Sequence, residues 1–399
     1  MIRKKEVRNE MIYSFDADID RRNTDSSKWD DIPYSVKADD MLPMWTADMD
    51  FACPKAIMDA IQKRMEHPVF GYMKMPERYQ KSIIQWHKTR LHQELSFEEI
   101  VPVASVLGGV SMAIQAFTEK GDSILISAPG YHAFENAVNH NERTLVPSPL
   151  KRRGDFWYMD FELMEKQMSE ERVTMFILCS PHNPTGRIWS REELSQLIDL
   201  CFRYHVYLLS DEIHADMTLT HSFTPLFGTG NEKAREIGIA LYAPTKTFNI
   251  AGLCTAYAIM KNKELRQRFQ KALLASGLKV KNTLGIEAMI GGYEKGGEWV
   301  DALQSYLLSN AEYAVDYIKK YIPAIHAYVP EATYFLWLDF RETGLSQDEI
   351  IDKIVNEAHI AVTRGDEFIE GGESFVRMVC ACPRFRLEEA MLRLRKTFS

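Results

Sequence analysis

Between residues 100 and 260 the chain alternates short apolar runs with longer amphipathic stretches, and each run stops at a loop of glycine, proline or polar residues. Apolar runs of about four to eight residues bounded by turn formers read as strands buried on both faces, and the stretches between them as helices. The alternation predicts an α/β fold, a mostly parallel sheet flanked by helices. Strands are expected at 100–105, 123–128, 173–179, 206–210, 238–242 and 254–260.

Composition narrows what such a sheet serves. The 399 residues, 46% of them hydrophobic, suffice for a sizeable core and more than one domain. A net charge of -8, with no run of like charge longer than Arg3-Lys4-Lys5, offers no footprint for nucleic acid or an anionic membrane. The basic opening passes into Glu6, Arg8, Asn9 and Glu10, so no secretory signal is expected there. No run approaches membrane-spanning length. The six cysteines are scattered, several inside apolar runs, which suggests a reduced, cytoplasmic protein. Cys380 and Cys382 have no partner pair at zinc spacing, and no metal site is expected.

The loops after the strands carry the chemistry. Leu107-Gly108-Gly109 reads as a turn opening a helix at 110–118, where backbone N–H groups and the helix dipole suit an anion. Taken alone, two glycines are as well explained by a turn that needs permissive residues. Tyr131 follows the strand at 123–128, Asn183 the strand at 173–179 and Asp211 the strand at 206–210. Lys246 lies in a tight loop between the apolar runs 238–242 and 254–260. By itself it reads more readily as a surface lysine than as a nucleophile, although apolar walls would lower its pKa. In open α/β sheets the carboxyl edge of the strands is where ligands bind. A lysine amine, a carboxylate, an amide, an aromatic ring and a helix start together are the groups that hold pyridoxal 5′-phosphate.

At this point the chain resembles the fold type I pyridoxal-phosphate enzymes, and within them the cystathionine β-lyase (bacterial C-S lyase) subgroup of the class I/II aminotransferase family. The resemblance runs from about Phe15 to Arg393. It rests on Lys28-Trp29-Asp30, Met44-Trp45-Thr46-Ala47-Asp48-Met49-Asp50-Phe51, Phe70-Gly71-Tyr72 and Pro181-His182-Asn183-Pro184. It continues in Ser210-Asp211-Glu212-Ile213-His214, Lys246-Thr247-Phe248-Asn249-Ile250-Ala251-Gly252-Leu253 and Ala381-Cys382-Pro383-Arg384.

The resemblance implies that Lys246 carries the cofactor and moves protons at the substrate, with Asp211 at the ring nitrogen, Asn183 at the ring hydroxyl, Tyr131 stacked on the ring and His214 beside it. It implies a phosphate cradle of Gly108, Gly109, Val110 and Thr245, completed by Tyr72 from a second subunit of a homodimer, where Tyr72 also counts as catalytic. Arg377 would take the substrate α-carboxylate, with Asn183, Trp45 and Ala47 lining the same subsite. Aminotransferases of this family usually carry an arginine eight residues after the lysine, and here that position is Cys254, as in the lyase subgroup. Thr245 replaces the commoner serine, 106–110 departs from the subgroup's Thr-Pro-Gly-Val-Val, and Val379 replaces an asparagine.

The expected activity is β-elimination from L-cystathionine or a related cysteine S-conjugate, giving a thiol, pyruvate and ammonia. An aminotransferase is the alternative, and a regulatory protein retaining the cofactor a third reading. The expected organisation is an N-terminal arm that is part of the small domain at 1–45, a large cofactor-binding domain at 46–286 and a small C-terminal domain at 287–399, the smaller α+β domain thus being drawn from both termini. In the small domain an alternating, half-buried strand is expected at 333–340.

Overall fold

The computed structural model describes residues 13–35, 38–277 and 281–398, so the basic opening at 1–5 lies outside the described residues. Seven strands make the main sheet: β1 (Ile100–Val103), β2 (Ser123–Ala128), β3 (Thr144–Pro149), β4 (Val173–Cys179), β5 (Tyr207–Asp211), β6 (Gly238–Tyr242) and β7 (Ala256–Ile259). Their spatial order is β1-β7-β6-β5-β4-β2-β3, with β7 antiparallel to both neighbours and the other pairings parallel. All five residues of β6 are buried, as are all but one in β4. Helices pack on both faces, which explains why these strands read as continuous rather than alternating apolar runs. Each fully buried Leu, Ile or Phe contributes about 1.5–3 kcal/mol of transfer free energy.

A smaller antiparallel sheet of β8 (Phe335–Asp339), β9 (Thr363–Arg364) and β10 (Phe375–Val379) has the order β8-β10-β9. The expectation of a half-buried strand at 333–340 is corrected here, because all five residues of β8 are buried. Phe335, Leu336, Trp337 and Leu338, from both faces, share one core with Leu387, Ala390, Met391 and Leu394 of the helix Arg384–Phe398. Leu42–Pro43 pairs in parallel with Ile360–Ala361 and so ties the N-terminal arm to this smaller unit. The boundary expected at 286/287 falls inside the helix Thr283–Lys295, whose Gly291 and Gly292 lie against Ala56, Ile57, Ala60 and Phe248.

The arm is pinned by charge. Asp50, 3% exposed, accepts from Lys28 Nζ at 3.0 Å, Arg21 Nη1 at 3.0 Å and Trp29 Nε1 at 2.9 Å. Arg21 also donates to Asp48 Oδ2 at 2.7 Å, and Lys28 Nζ to the Asp48 carbonyl at 2.8 Å. The segment 46–51 is therefore gripped by side chains some 20 residues before it.

Candidate active site

The carboxyl ends of β2, β4, β5 and β6 converge on a cavity of about 480 Å³, a size suited to a small molecule. Its lining includes Trp45, Ala47, Tyr131, Asn183, Asp211, His214, Thr245, Lys246 and Arg377, all singled out from the sequence. Segments more than 300 residues apart thus meet at one sheet edge, as the strand order requires.

Lys246 lies in a one-turn helix, Pro244–Thr247, rather than in an open loop. Proline at the first helical position, with φ already set, starts that turn directly after β6. Neighbours fix the turn from both sides: Thr247 Oγ1 donates to Asp216 Oδ2 at 2.9 Å, and Phe248 is fully buried against Trp86, Tyr293 and Trp299. Asn249 sews the turn to the pocket wall, donating from Nδ2 to the Met49 and Phe51 carbonyls at 2.8 Å and accepting from Met49 N at 3.1 Å. Lys246 Nζ donates to the Ala47 carbonyl at 2.6 Å. Burial pulls its pKa down to about 8, opposed by the charge of Asp48 and assisted by that of Arg377.

Asp211 ends β5 and is 5% exposed. Its Oδ1 accepts from Ile213 N at 3.0 Å, its one hydrogen bond among the described residues. Burial pushes the carboxyl up to about 7, only partly offset by that bond and by Lys246. Such a carboxylate is short of a cationic partner. Arg377, on β10 and 4% exposed, donates from Nη1 to Asn183 Oδ1 at 3.0 Å and from Nη2 to the Trp45 carbonyl at 2.9 Å and Thr363 Oγ1 at 3.1 Å. Its Nε is buried without a partner, and burial lowers its pKa to about 10. His214 Nδ1 is likewise a buried, unpartnered atom, and burial holds this imidazole neutral with a pKa near 3.

The helix start expected at 110 is corrected. The helix begins at Val106, not Val110, because Ser105 caps it by accepting Gly108 N at Oγ, 3.0 Å away. Gly109 N is spent on the Ser105 carbonyl at 2.9 Å. Gly109 is instead needed for packing, since a Cβ there would meet Leu241 Cδ2 at 2.8 Å. Gly108, Gly109 and Val110 do not line the cavity, whereas Ser105, Val106 and Leu107 do. Thr245 and Thr255 line the same cavity as this helix start, where backbone N–H groups suit an anion. Tyr72 is fully exposed and does not line the cavity of its own chain.

The donor set fits pyridoxal phosphate: a helix start and threonines at one end, a buried carboxylate lacking a cation in the middle, a lysine with a depressed pKa, and an arginine with an unpartnered Nε at the other end. Sequence reasoning missed several lining residues: Cys179, Thr363, Glu367, and His132, the neighbour of Tyr131. It missed Tyr334 too, whose hydroxyl donates to the Ala47 carbonyl at 3.3 Å. The readable signal for Tyr334 was its place in an apolar strand; before it stands Thr333, a buried β-branched residue at φ 74°.

Comparison with known proteins bears on the same residues. The family model described as aminotransferase class I and II matches residues 39–394. Cystathionine beta-lyase PatB of Bacillus subtilis (strain 168) is 36% identical over 97% of this chain and 100% of its own length. Protein MalY of Escherichia coli (strain K12) is 32% identical over 95% of this chain and 97% of its own. Among solved structures, cystalysin from Treponema denticola, which contains a pyridoxal 5′-phosphate cofactor, superposes with a TM-score of 0.93 at 31% identity, covering 97% of this chain and 99% of that one.

Proposed function

This chain belongs to the class I and II aminotransferase family, and from that premise we propose that it is a pyridoxal-phosphate-dependent carbon-sulfur β-lyase. The substrate is L-cystathionine or a related cysteine S-conjugate, and the products are a thiol, pyruvate and ammonia. The observation that carries the reading is that Lys246, Asp211 and Arg377 line one cavity, with Lys246 in electrostatic reach of both. Cys254 lines the cavity where an aminotransferase would place its phosphate arginine, which supports lyase over transaminase.

When bound, pyridoxal phosphate supplies a carbonyl for the substrate amine and an electron sink for the charge released at Cα. Lys246 would hold it through its amine and, once free, would take the Cα proton and return a proton to the departing sulfur. A neutral amine is required for that first step, and the depressed pKa of Lys246 makes it available near neutral pH. Asp211 would keep a proton on the ring nitrogen, its own charge being stabilised in return. Asn183 would hold the ring oxygen, with Tyr131 and His214 beside the ring. Arg377 fixes the α-carboxylate through a charge-assisted fork, with Trp45 and Ala47 closing the subsite. Water then completes the conversion of the three-carbon fragment to pyruvate and ammonia.

The assembly we propose is a homodimer. Met58, Met65, Val69, Phe70 and Tyr72 are large apolar side chains left exposed on and after the helix Lys55–Met65, and a second copy would cover them while Tyr72 reaches the neighbouring phosphate end. The unit at 46–286 is read as cofactor-binding and the cysteines as reduced in a cytoplasmic protein; no described helix is long and apolar enough to cross a membrane. The deciding experiment is pyruvate release from L-cystathionine by the cofactor-loaded protein without added keto acid, with Lys246→Ala as control. Amination of 2-oxoglutarate in place of pyruvate release would make the protein an aminotransferase.

A further inference from the structure

Beyond the groups that serve the cofactor and the α-carboxylate, the cavity has one acidic side chain at its mouth, Glu367, in a lining shared with Pro33, His132 and Val362. Glu367 is exposed and makes no hydrogen bond or ion pair among the described residues. The cations nearest to it are committed elsewhere. Arg364 grips Asp366 through Nε at 2.8 Å and Nη2 at 2.7 Å and also reaches Asp348 at 2.7 Å. Arg377 is held by Asn183, Trp45 and Thr363, and the Tyr34 hydroxyl donates to the Val362 carbonyl at 2.6 Å. Partial burial and the neighbouring Asp366 raise the carboxyl's pKa, outweighing the opposing charges of Arg364 and Arg377.

The position of Glu367 is also rigid. Gly365 and Gly372 pass so close that a Cβ on Gly365 would lie 1.9 Å from the Gly372 carbonyl oxygen, and one on Gly372 2.0 Å from that of Gly365. Phe368, the next residue, is buried against Trp337 and under the Arg377 guanidinium. The loop carrying Glu367 is thus tied to the strand carrying Arg377. A substrate whose α-carboxylate sits on Arg377 and whose reacting carbon faces Lys246 has its sulfur substituent left to run toward the mouth.

We infer that Glu367 is a specificity-determining residue for the leaving-group end of the substrate, selecting cysteine thioethers whose distal end carries an ammonium. A carboxylate is acceptor-only and an ammonium donor-only, so the match is one of both charge and hydrogen bonding. The assignment rests on the lyase reading for the reaction, but the subsite can be tested without it.

Three substrates of similar length separate the alternatives: S-(2-aminoethyl)-L-cysteine with a distal cation, S-propyl-L-cysteine with a neutral end, and S-(2-carboxyethyl)-L-cysteine with a distal anion. On the loaded enzyme, Glu367→Gln is expected to lower kcat/KM for the cation by roughly tenfold relative to the neutral thioether and to improve the anion. Calorimetric binding of L-lysine against L-2-aminoheptanoate, carbon analogues with no sulfur to expel, gives a readout independent of turnover. The preference for L-lysine should fall by roughly tenfold in the variant. An unchanged preference in the variant overturns the inference whatever pyruvate is released. Loss of the binding preference with no pyruvate from any thioether would support the subsite and refute the lyase.

Discussion

The Ala47 carbonyl accepts two hydrogen bonds at once, from Lys246 Nζ at 2.6 Å and from the Tyr334 hydroxyl at 3.3 Å. Burial keeps the Tyr334 phenol protonated, so it is a permanent competitor for the oxygen that steadies the ammonium form of Lys246. Burial of the lysine, which outweighs the steadying carbonyl, makes its neutral form accessible. The rate at which protein stripped of cofactor recaptures pyridoxal phosphate should therefore rise with pH through a midpoint near 8. A midpoint close to that of free lysine, about 10.4, would refute the account. Tyr334→Phe frees the carbonyl for the ammonium and should move the midpoint upward by less than about one pH unit.

Arg377 is locked by three acceptors and leaves its Nε free, so its geometry is as important as its charge. Arg377→Lys keeps the charge and loses the fork. Turnover measured against substrate concentration should show kcat/KM down roughly 100-fold, most of it in KM. A loss confined to kcat would place Arg377 in the chemistry rather than in carboxylate binding.

Asp50 and Lys28 form a buried ion pair at 3.0 Å, both side chains no more than 2% exposed. Removing Lys28 leaves the buried Asp50 with Arg21 at 3.0 Å and the more distant Arg386 at 3.6 Å as its remaining cations. Lys28→Met should cost about 3–5 kcal/mol in denaturant unfolding, and a cost below about 1 kcal/mol would show that the pair is dispensable. The pKa of Asp50 is lowered in the fold: burial opposes the shift, but Lys28, Trp29 and Arg21 outweigh it. A depressed folded pKa means that this contribution is present above the unfolded value of about 3.9 and is lost as pH falls through the folded one. The wild type should thus lose stability on acidification below about pH 4 more steeply than Asp50→Asn.

Gly365→Ala cannot be accommodated without moving the loop, because the new methyl would overlap the carbonyls of Gly372 and Phe375. The variant should fold, keep its cofactor and show a KM for L-cystathionine raised by roughly tenfold. Loss of cofactor instead would mean that the loop supports the whole cavity and not only the substrate end.

Much of the site was legible in the sequence because its chemistry follows local rules. Short buried strands end in loops, and parallel strands bring those loops to one edge, so Tyr131, Asn183, Asp211 and Lys246 were placed together before any coordinates. The helix start expected at 110 failed for an equally local reason: a serine cap three residues before Gly108 draws the start forward, and Gly109 answers to a close approach by Leu241 that no sequence window contains.

By itself, then, the sequence determined the α/β sheet, the edge on which a ligand binds and four of the groups that meet it there. Tertiary structure alone decided where the helix after β1 begins, that Asn249 and Asp50 hold the 46–51 wall in register with Lys246, that Tyr334 reaches the Ala47 carbonyl and that Glu367 lines the cavity. The division has a physical reason. Periodicity and turn chemistry act over a few residues, whereas the burial that moves the pKa values of Lys246 and Asp211, and the hydrogen bonds that aim Arg377, exist only once segments hundreds of residues apart have packed together.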